Sequence, residues 1–180
     1  MKTMLMLISD GMEECEALVT RDVLLRAGIN VLMYSTNNKE EVKSQNSLLV
    51  KRDIKKYNLE DYDGIILPGG GLGTKNLNEY KEMDNILKHF FDNNKLVCAI
   101  CAAPTVLGKR GYLHNKNYTC FSGCEVGLDG KHNDVSVCQD ENIITARSMY
   151  FANEFGLKII QYLLGDEKAI DVEKKIKSDL

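Results

Sequence analysis

Residues 95–107 read Lys-Leu-Val-Cys-Ala-Ile-Cys-Ala-Ala-Pro-Thr-Val-Leu, and this stretch decides the fold. Leu96 to Cys101 is an apolar run of the kind a strand covered on both faces requires. Small residues follow, then Pro104, whose fixed φ suits the first turn of a helix. The stretch therefore predicts a buried strand turning sharply into a helix, with Cys101 at the turn, which is the geometry of a nucleophile elbow. A thiol at a helix start faces unpaired N–H groups and the positive end of the dipole. That predicts a pKa lowered from roughly 8.5 into the range of about 3.5–7.5. The plainer reading of Cys101 is a small buried hydrophobe.

Outward from this stretch, the chain has the size of one domain, residues 1–180, large enough for a core without disulfides or metal. Hydrophobic residues make up 44% and charged residues 27%, ordinary for a globular protein. A net charge of −3 provides no electrostatic footprint for nucleic acid or an anionic membrane. The apolar run Met4 to Ile8 is ended by Ser9-Asp10-Gly11 without a cleavage-like site, so it reads as a buried strand rather than a signal peptide. No run approaches the ~18 apolar residues of a membrane span. A cytoplasmic location with reduced cysteines is expected.

Strands are predicted at 2–8, 31–34 and 63–68, with a further extended piece at 48–54. Shorter strands are predicted at 118–121, 135–138 and 143–147. Helices are predicted at 13–27, closed by Gly28, at 79–92, from about 104, at 151–164 and at 166–177. Residues 36–47 read as irregular and Gly69–Gly73 as a loop. Alternating strands and helices predict an α/β, flavodoxin-like three-layer sandwich with a mainly parallel central sheet.

Several motifs compete with simpler readings. Gly69-Gly-Gly-Leu-Gly73 follows a strand, but it lacks both the dinucleotide spacing and a Walker lysine–serine pair. Its glycines fit a close approach of backbone N–H groups to a substrate at a strand end. Cys98, Cys101, Cys120 and Cys124 come near a zinc spacing. Cys98, however, lies within the apolar strand and reads as core filler, so no metal is expected. A thioredoxin-like pair would need its first cysteine, not its last, at the helix start. Glu13 and Glu14 suit a helix start as dipole complements, whereas Glu16 has the spacing to point back across the strand ends. None of His89, His114 or His132 has a partner that marks it as catalytic.

Taken together, Gly11-x-Glu-Glu-x-Glu16, Arg21-Asp-Val-x-x-Arg-Ala-Gly28, Leu67-Pro-Gly-Gly70, Asn76-Leu and Ala99-Ile-Cys-Ala-Ala-Pro-Thr105 resemble the ThiJ/PfpI superfamily. The branch they resemble is that of the human Parkinsonism-linked protein and its bacterial relatives. The resemblance extends to about Gly165 and implies a flavodoxin-like homodimer, with Cys15 near its two-fold axis. It implies Cys101 as nucleophile, Glu16 as its hydrogen-bonding carboxylate, and the Gly70 and Ala102 N–H groups as an oxyanion hole. Phe121 stands where the human branch has a pocket histidine. Ser148-Met149-Tyr150 replace a Gly-Pro-Gly stretch after Arg147. Phe121, Arg147, Ser148 and Tyr150 are therefore expected to line the pocket.

The resemblance implies two functions of different kinds. One is a cofactor-free enzyme acting on a small aldehyde or a glycated substrate, of glutathione-independent glyoxalase or deglycase type, with an oxidation-sensitive nucleophile. In it Cys101 adds to the aldehyde and Glu16 moves the proton. The other is a non-catalytic sensor or chaperone of oxidative stress acting through Cys101 oxidation. A glutaminase-type amidotransferase would need a Cys-His-Glu set, and no histidine is suitably placed. A carboxylate packed beside a thiolate should have a raised pKa, leaving Glu16 protonated near neutrality.

Overall fold

The computed structural model describes residues 1–178. The chain opens with β1 (Thr3–Ile8), α1 (Glu14–Arg26) and β2 (Asn30–Ser35). A small hairpin, β3 (Glu41–Lys43) and β4 (Leu49–Lys51), leads to β5 (Gly64–Leu67), α2 (Gly71–Glu79) and α3 (Met83–Asp92). Next come β6 (Leu96–Ile100), α4 (Pro104–Gly108) and two short strands, β7 (Asn117–Tyr118) and β8 (Lys131–His132). The remainder is β9 (Val137–Asp140), β10 (Ile143–Ala146), α5 (Ala152–Leu164) and α6 (Asp166–Ile176).

Six strands form one sheet in the order β2-β1-β5-β6-β10-β9. All neighbours are parallel except β10 and β9. Counted along the chain, the parallel strands run 2-1-3-4-5, the flavodoxin order. Successive side chains of a strand point to opposite faces, and both faces are covered. Met4, Met6 and Ile8 enter one apolar cluster with Ala17, Val23, Phe155 and Ile159 of α1 and α5. Leu5 and Leu7 enter the other, with Leu77, Met83, Leu87 and Phe90 of α2 and α3. Burial on both faces is why these strands are continuous apolar runs rather than alternating ones.

The predicted α/β architecture is therefore the observed one, with local corrections. The helix expected at 79–92 begins at Met83, and the glycine stretch expected to be a loop opens a separate helix, α2. The low helix propensity of glycine hides this element in the sequence. The stretch expected to be irregular, 36–47, contains β3, which pairs antiparallel with β4. This hairpin is tied to the end of β1, since the Gly11 N–H donates to Lys43 O (2.7 Å) and the Gln45 N–H to Met12 O (2.7 Å). Gln45 and Asn46 are thereby carried to the C-terminal edge of the sheet. The strand expected at 118–121 is reduced to Asn117–Tyr118, and the one expected at 135–138 is displaced to Val137–Asp140. No described helix is long and apolar enough to cross a membrane.

Candidate active site

The C-terminal ends of β1, β5 and β6 lie side by side, and each leads into one part of a single site. After β1, Glu13 caps α1 by accepting the Glu16 N–H (2.7 Å). That leaves Glu16 in the first turn, facing inward and 1% exposed. Glu14 sits in the first turn, as expected of a dipole complement, whereas Glu13 is the cap itself. After β5, Gly70 is the N-cap of α2 with φ of +86°. A Cβ there would stand 2.4 Å from Gly11 O, so the close approach of the two turns requires glycine. After β6, Cys101 adopts φ of +63°, a left-handed conformation that a non-glycine residue adopts only under tertiary constraint. The constraint is visible. The Cys101 N–H donates to Ala146 O (2.8 Å) and its carbonyl accepts the Phe121 N–H (2.8 Å). The elbow expected from the sequence is present.

Glu16 Oε2 accepts the Gly69 N–H (2.8 Å). Oε1 is buried without a hydrogen-bond partner. Gly69 itself must be small, since a Cβ would lie 2.6 Å from Glu16 Oε2 and 2.8 Å from Cys101 Cβ. The Gly70 and Ala102 N–H groups both face the Cys101 sulfur. Thiol, carboxyl and two backbone donors thus converge.

The electrostatics correct one expectation. Burial is the largest influence on Glu16 and pushes its carboxyl up to about 7, against hydrogen bonds from Cys101 and Gly69 that favour the anion. The Cys101 thiol, expected to be acidic, is instead raised. Burial comes first, then the Glu16 charge and hydrogen bond, with the Gly70 and Ala102 N–H groups opposing them. The helix start does little for the thiolate because α4 is only five residues long, and its first turn begins three residues beyond Cys101. The two groups titrate as a pair. The pair therefore holds one proton between carboxyl and thiol across a wide range above neutrality.

These groups open into a cleft of about 610 Å³. Phe121, Ser148 and Tyr150 line it as expected, Tyr150 being 82% exposed. Arg147 is not among the lining residues. Its guanidinium pairs with Asp134 and its N–H donates to Ser136 O. Met149 lines the cleft with its neighbours, while sequence reasoning missed Glu13, Gln45, Asn46 and Cys124 in the lining. For Gln45 and Asn46, the signal was the short Glu41-Val-Lys43 strand. None of the three histidines lines the cleft. The four cysteines with near-zinc spacing do not assemble, since Cys98 is packed in the cluster on one face of the sheet and Cys120 in that on the other. A hollow of about 660 Å³ beside Asp10, Tyr34 and Asn38 carries no thiol, and its Ser9 hydroxyl is committed to Gly73 O (3.0 Å).

The chain is similar to known proteins along nearly its whole length. The chain is 34% identical over 178 residues to Protein dj-1beta of Drosophila melanogaster, covering 96% of this chain and 95% of the relative. It is 32% identical to the glutathione-independent glyoxalase DJR-1.2 of Caenorhabditis elegans, covering 96% and 94%. The crystal structure of Drosophila melanogaster DJ-1beta superposes with a TM-score of 0.89 at 34% identity, covering 97% of each chain. The model of the DJ-1/PfpI family matches residues 2–162, and the chain belongs to that family.

Proposed function

We propose that the protein is a cysteine-dependent enzyme acting on small 2-oxoaldehydes, of the glutathione-independent glyoxalase type. The observation that carries this reading is the convergence of Cys101, Glu16 and two backbone N–H donors in one cleft. That one relative is named a glutathione-independent glyoxalase supports it.

In the proposed cycle, the sulfur adds to the aldehyde carbon of methylglyoxal while its proton passes to Glu16. The oxygen that becomes negative is held by the Gly70 and Ala102 N–H groups, donors that cost no reorganisation at the moment of reaction. Glu16 returns the proton to that oxygen, completing a hemithioacetal. As a carboxylate again, it then takes the proton from the same carbon and delivers it to the neighbouring carbon through an enediol, while the hydroxyl proton passes from the first carbon's oxygen to the second's. The result is a lactoyl thioester, which water hydrolyses to lactate and the free thiol. No histidine is needed, because the raised carboxyl is a base matched to neutral pH. The apolar side chains of Phe121, Met149 and Tyr150 restrict the entrance and favour a small aldehyde over a glycated protein side chain.

The test is to incubate the protein with methylglyoxal or glyoxal and measure lactate or glycolate. Selective peroxide oxidation of Cys101 with no hydroxyacid formed would replace the enzyme by the sensor.

The proposal extends to a homodimer built on α1, where Cys15, Leu18 and Val19 are only half-buried and Leu25 is exposed. Light scattering at micromolar concentration is expected to return the mass of two chains, and a monomer would remove α1 as an interface. The site is read as that of a cytoplasmic protein, the six cysteines being unpaired.

A further inference from the structure

The loop after β7 brings together three metal-ligating side chains that the proposed chemistry does not use. Cys120 follows β7, Glu125 lies in the turn beyond it, and His132 is on β8. Their Sγ, carboxylate oxygen and ring nitrogen all lie within 4.8 Å of one another, with Cys120 Sγ 4.0 Å from Glu125 Oε2. We propose that Cys120, Glu125 and His132 form a binding site for a divalent transition-metal ion of the zinc class.

The backbone fixes the three positions. β7 and β8 are parallel, with Tyr118 opposite His132, and the Asn133 N–H donates to Tyr118 O (2.8 Å). The Cys120 thiol donates a long hydrogen bond to Glu125 Oε2, a proton that metal binding would displace. Among the described residues, Glu125 forms no ion pair, and the His132 ring is engaged only edge-on with Tyr118 at 5.5 Å. The donor set is one thiolate, one imidazole and one carboxylate. It suits a borderline-soft ion better than magnesium or calcium.

Tetrahedral zinc, with bonds of about 2.0–2.3 Å, spaces its ligand atoms by roughly 3.3–3.8 Å. The cluster therefore needs to contract by at most about 1.5 Å to close. Cys120 is 1% exposed while His132 is exposed, so the ion would be anchored on the buried sulfur and its fourth position filled by water from the His132 side. The Cys120 thiol proton leaves to solvent as the metal–sulfur bond forms. Arg147 is close enough to act on Cys120 and Glu125, and its charge is partly balanced by the pair it forms with Asp134. Binding would also brace the cleft, because Phe121 and Cys124, between the ligands in sequence, both line it.

Metal-stripped full-length protein is titrated with Co²⁺, followed through the thiolate-to-cobalt charge-transfer absorption, and the Co²⁺ is then displaced with Zn²⁺. One equivalent is expected to bind, with the band intact in Cys101→Ser and absent in Cys120→Ser. His132→Ala and Glu125→Gln are expected to weaken binding at least about tenfold. Should Cys120→Ser fail to fold, these two outward-facing substitutions carry the test. A band lost in Cys101→Ser, or unchanged affinity in His132→Ala, would overturn the site. Because the readout is binding, a failure here is distinct from a failure to turn over aldehydes.

Discussion

Cys101→Ser is expected to reduce lactate formation from methylglyoxal by at least about 10³-fold, the scale seen when a nucleophile is removed from a working site. Serine is close in size and can be held at φ of +63° by the same bonds to Ala146 and Phe121, so the fold should be preserved. What changes is the nucleophile. The proton on a hydroxyl is held far more tightly than that on a thiol, and Glu16, pushed up to about 7, is too weak a base to remove it. Hydroxyacid yield and melting temperature measured on one preparation separate chemistry from stability. Retained turnover with an unchanged melting temperature would show that the sulfur takes no part.

Glu16→Gln is expected to cost roughly 10²–10⁴-fold in turnover, the usual range for a general acid–base group. Glutamine keeps the size and an oxygen to accept the Gly69 N–H, but cannot carry a proton. The pH profile adds a second criterion. In the proposed cycle the reactive form is the pair with a single proton. Activity (kcat/KM) should therefore rise as pH increases through about 7, where Glu16 ionises, and level off above it. The residual activity of Glu16→Gln should lack that inflection. An inflection that survives the substitution would assign it to another group and remove Glu16 from the proton transfer.

Much of this is legible in the sequence, for a definable reason. Met4–Ile8 and Leu96–Ile100 are apolar without alternation, and only burial on both faces makes such a strand. The elbow follows from small residues and Pro104 placed directly after one. α2 is illegible because its opening residues, Gly71-Leu-Gly73, include two poor helix formers, of which Gly73 is required by tertiary fit. A Cβ at Gly73 would stand 2.6 Å from Met12 Cα. The sign of the Cys101 shift is illegible too, since desolvation depends on packing from β1 and β5 and not on local sequence. Arg147 belongs to the pocket by sequence position, next to Ser148 and Tyr150. A charged side chain at the end of a strand nevertheless turns to whichever carboxylate is near, here Asp134. Cys120 invites comparison with Cys98 and Cys101 in sequence, while its neighbours in space, Glu125 and His132, belong to a loop with no periodic signal.

The burial of Glu16 also couples the site to the energetics of folding. A carboxyl whose pKa rises from 4.5 unfolded to about 7 folded binds its proton more tightly in the native chain than in the unfolded one. Its contribution to stability is full below pH 4.5 and is lost as pH climbs toward 7, by about 3 kcal/mol in all. Calorimetry across that window should show the wild type losing melting temperature relative to Glu16→Gln, which has nothing there to titrate, and parallel curves would show that the carboxyl titrates alike in both states. Under the proposed cycle, ionisation of Glu16 would supply the base for turnover and loosen the fold in the same step, so the pH of greatest activity would lie on the falling side of the stability curve.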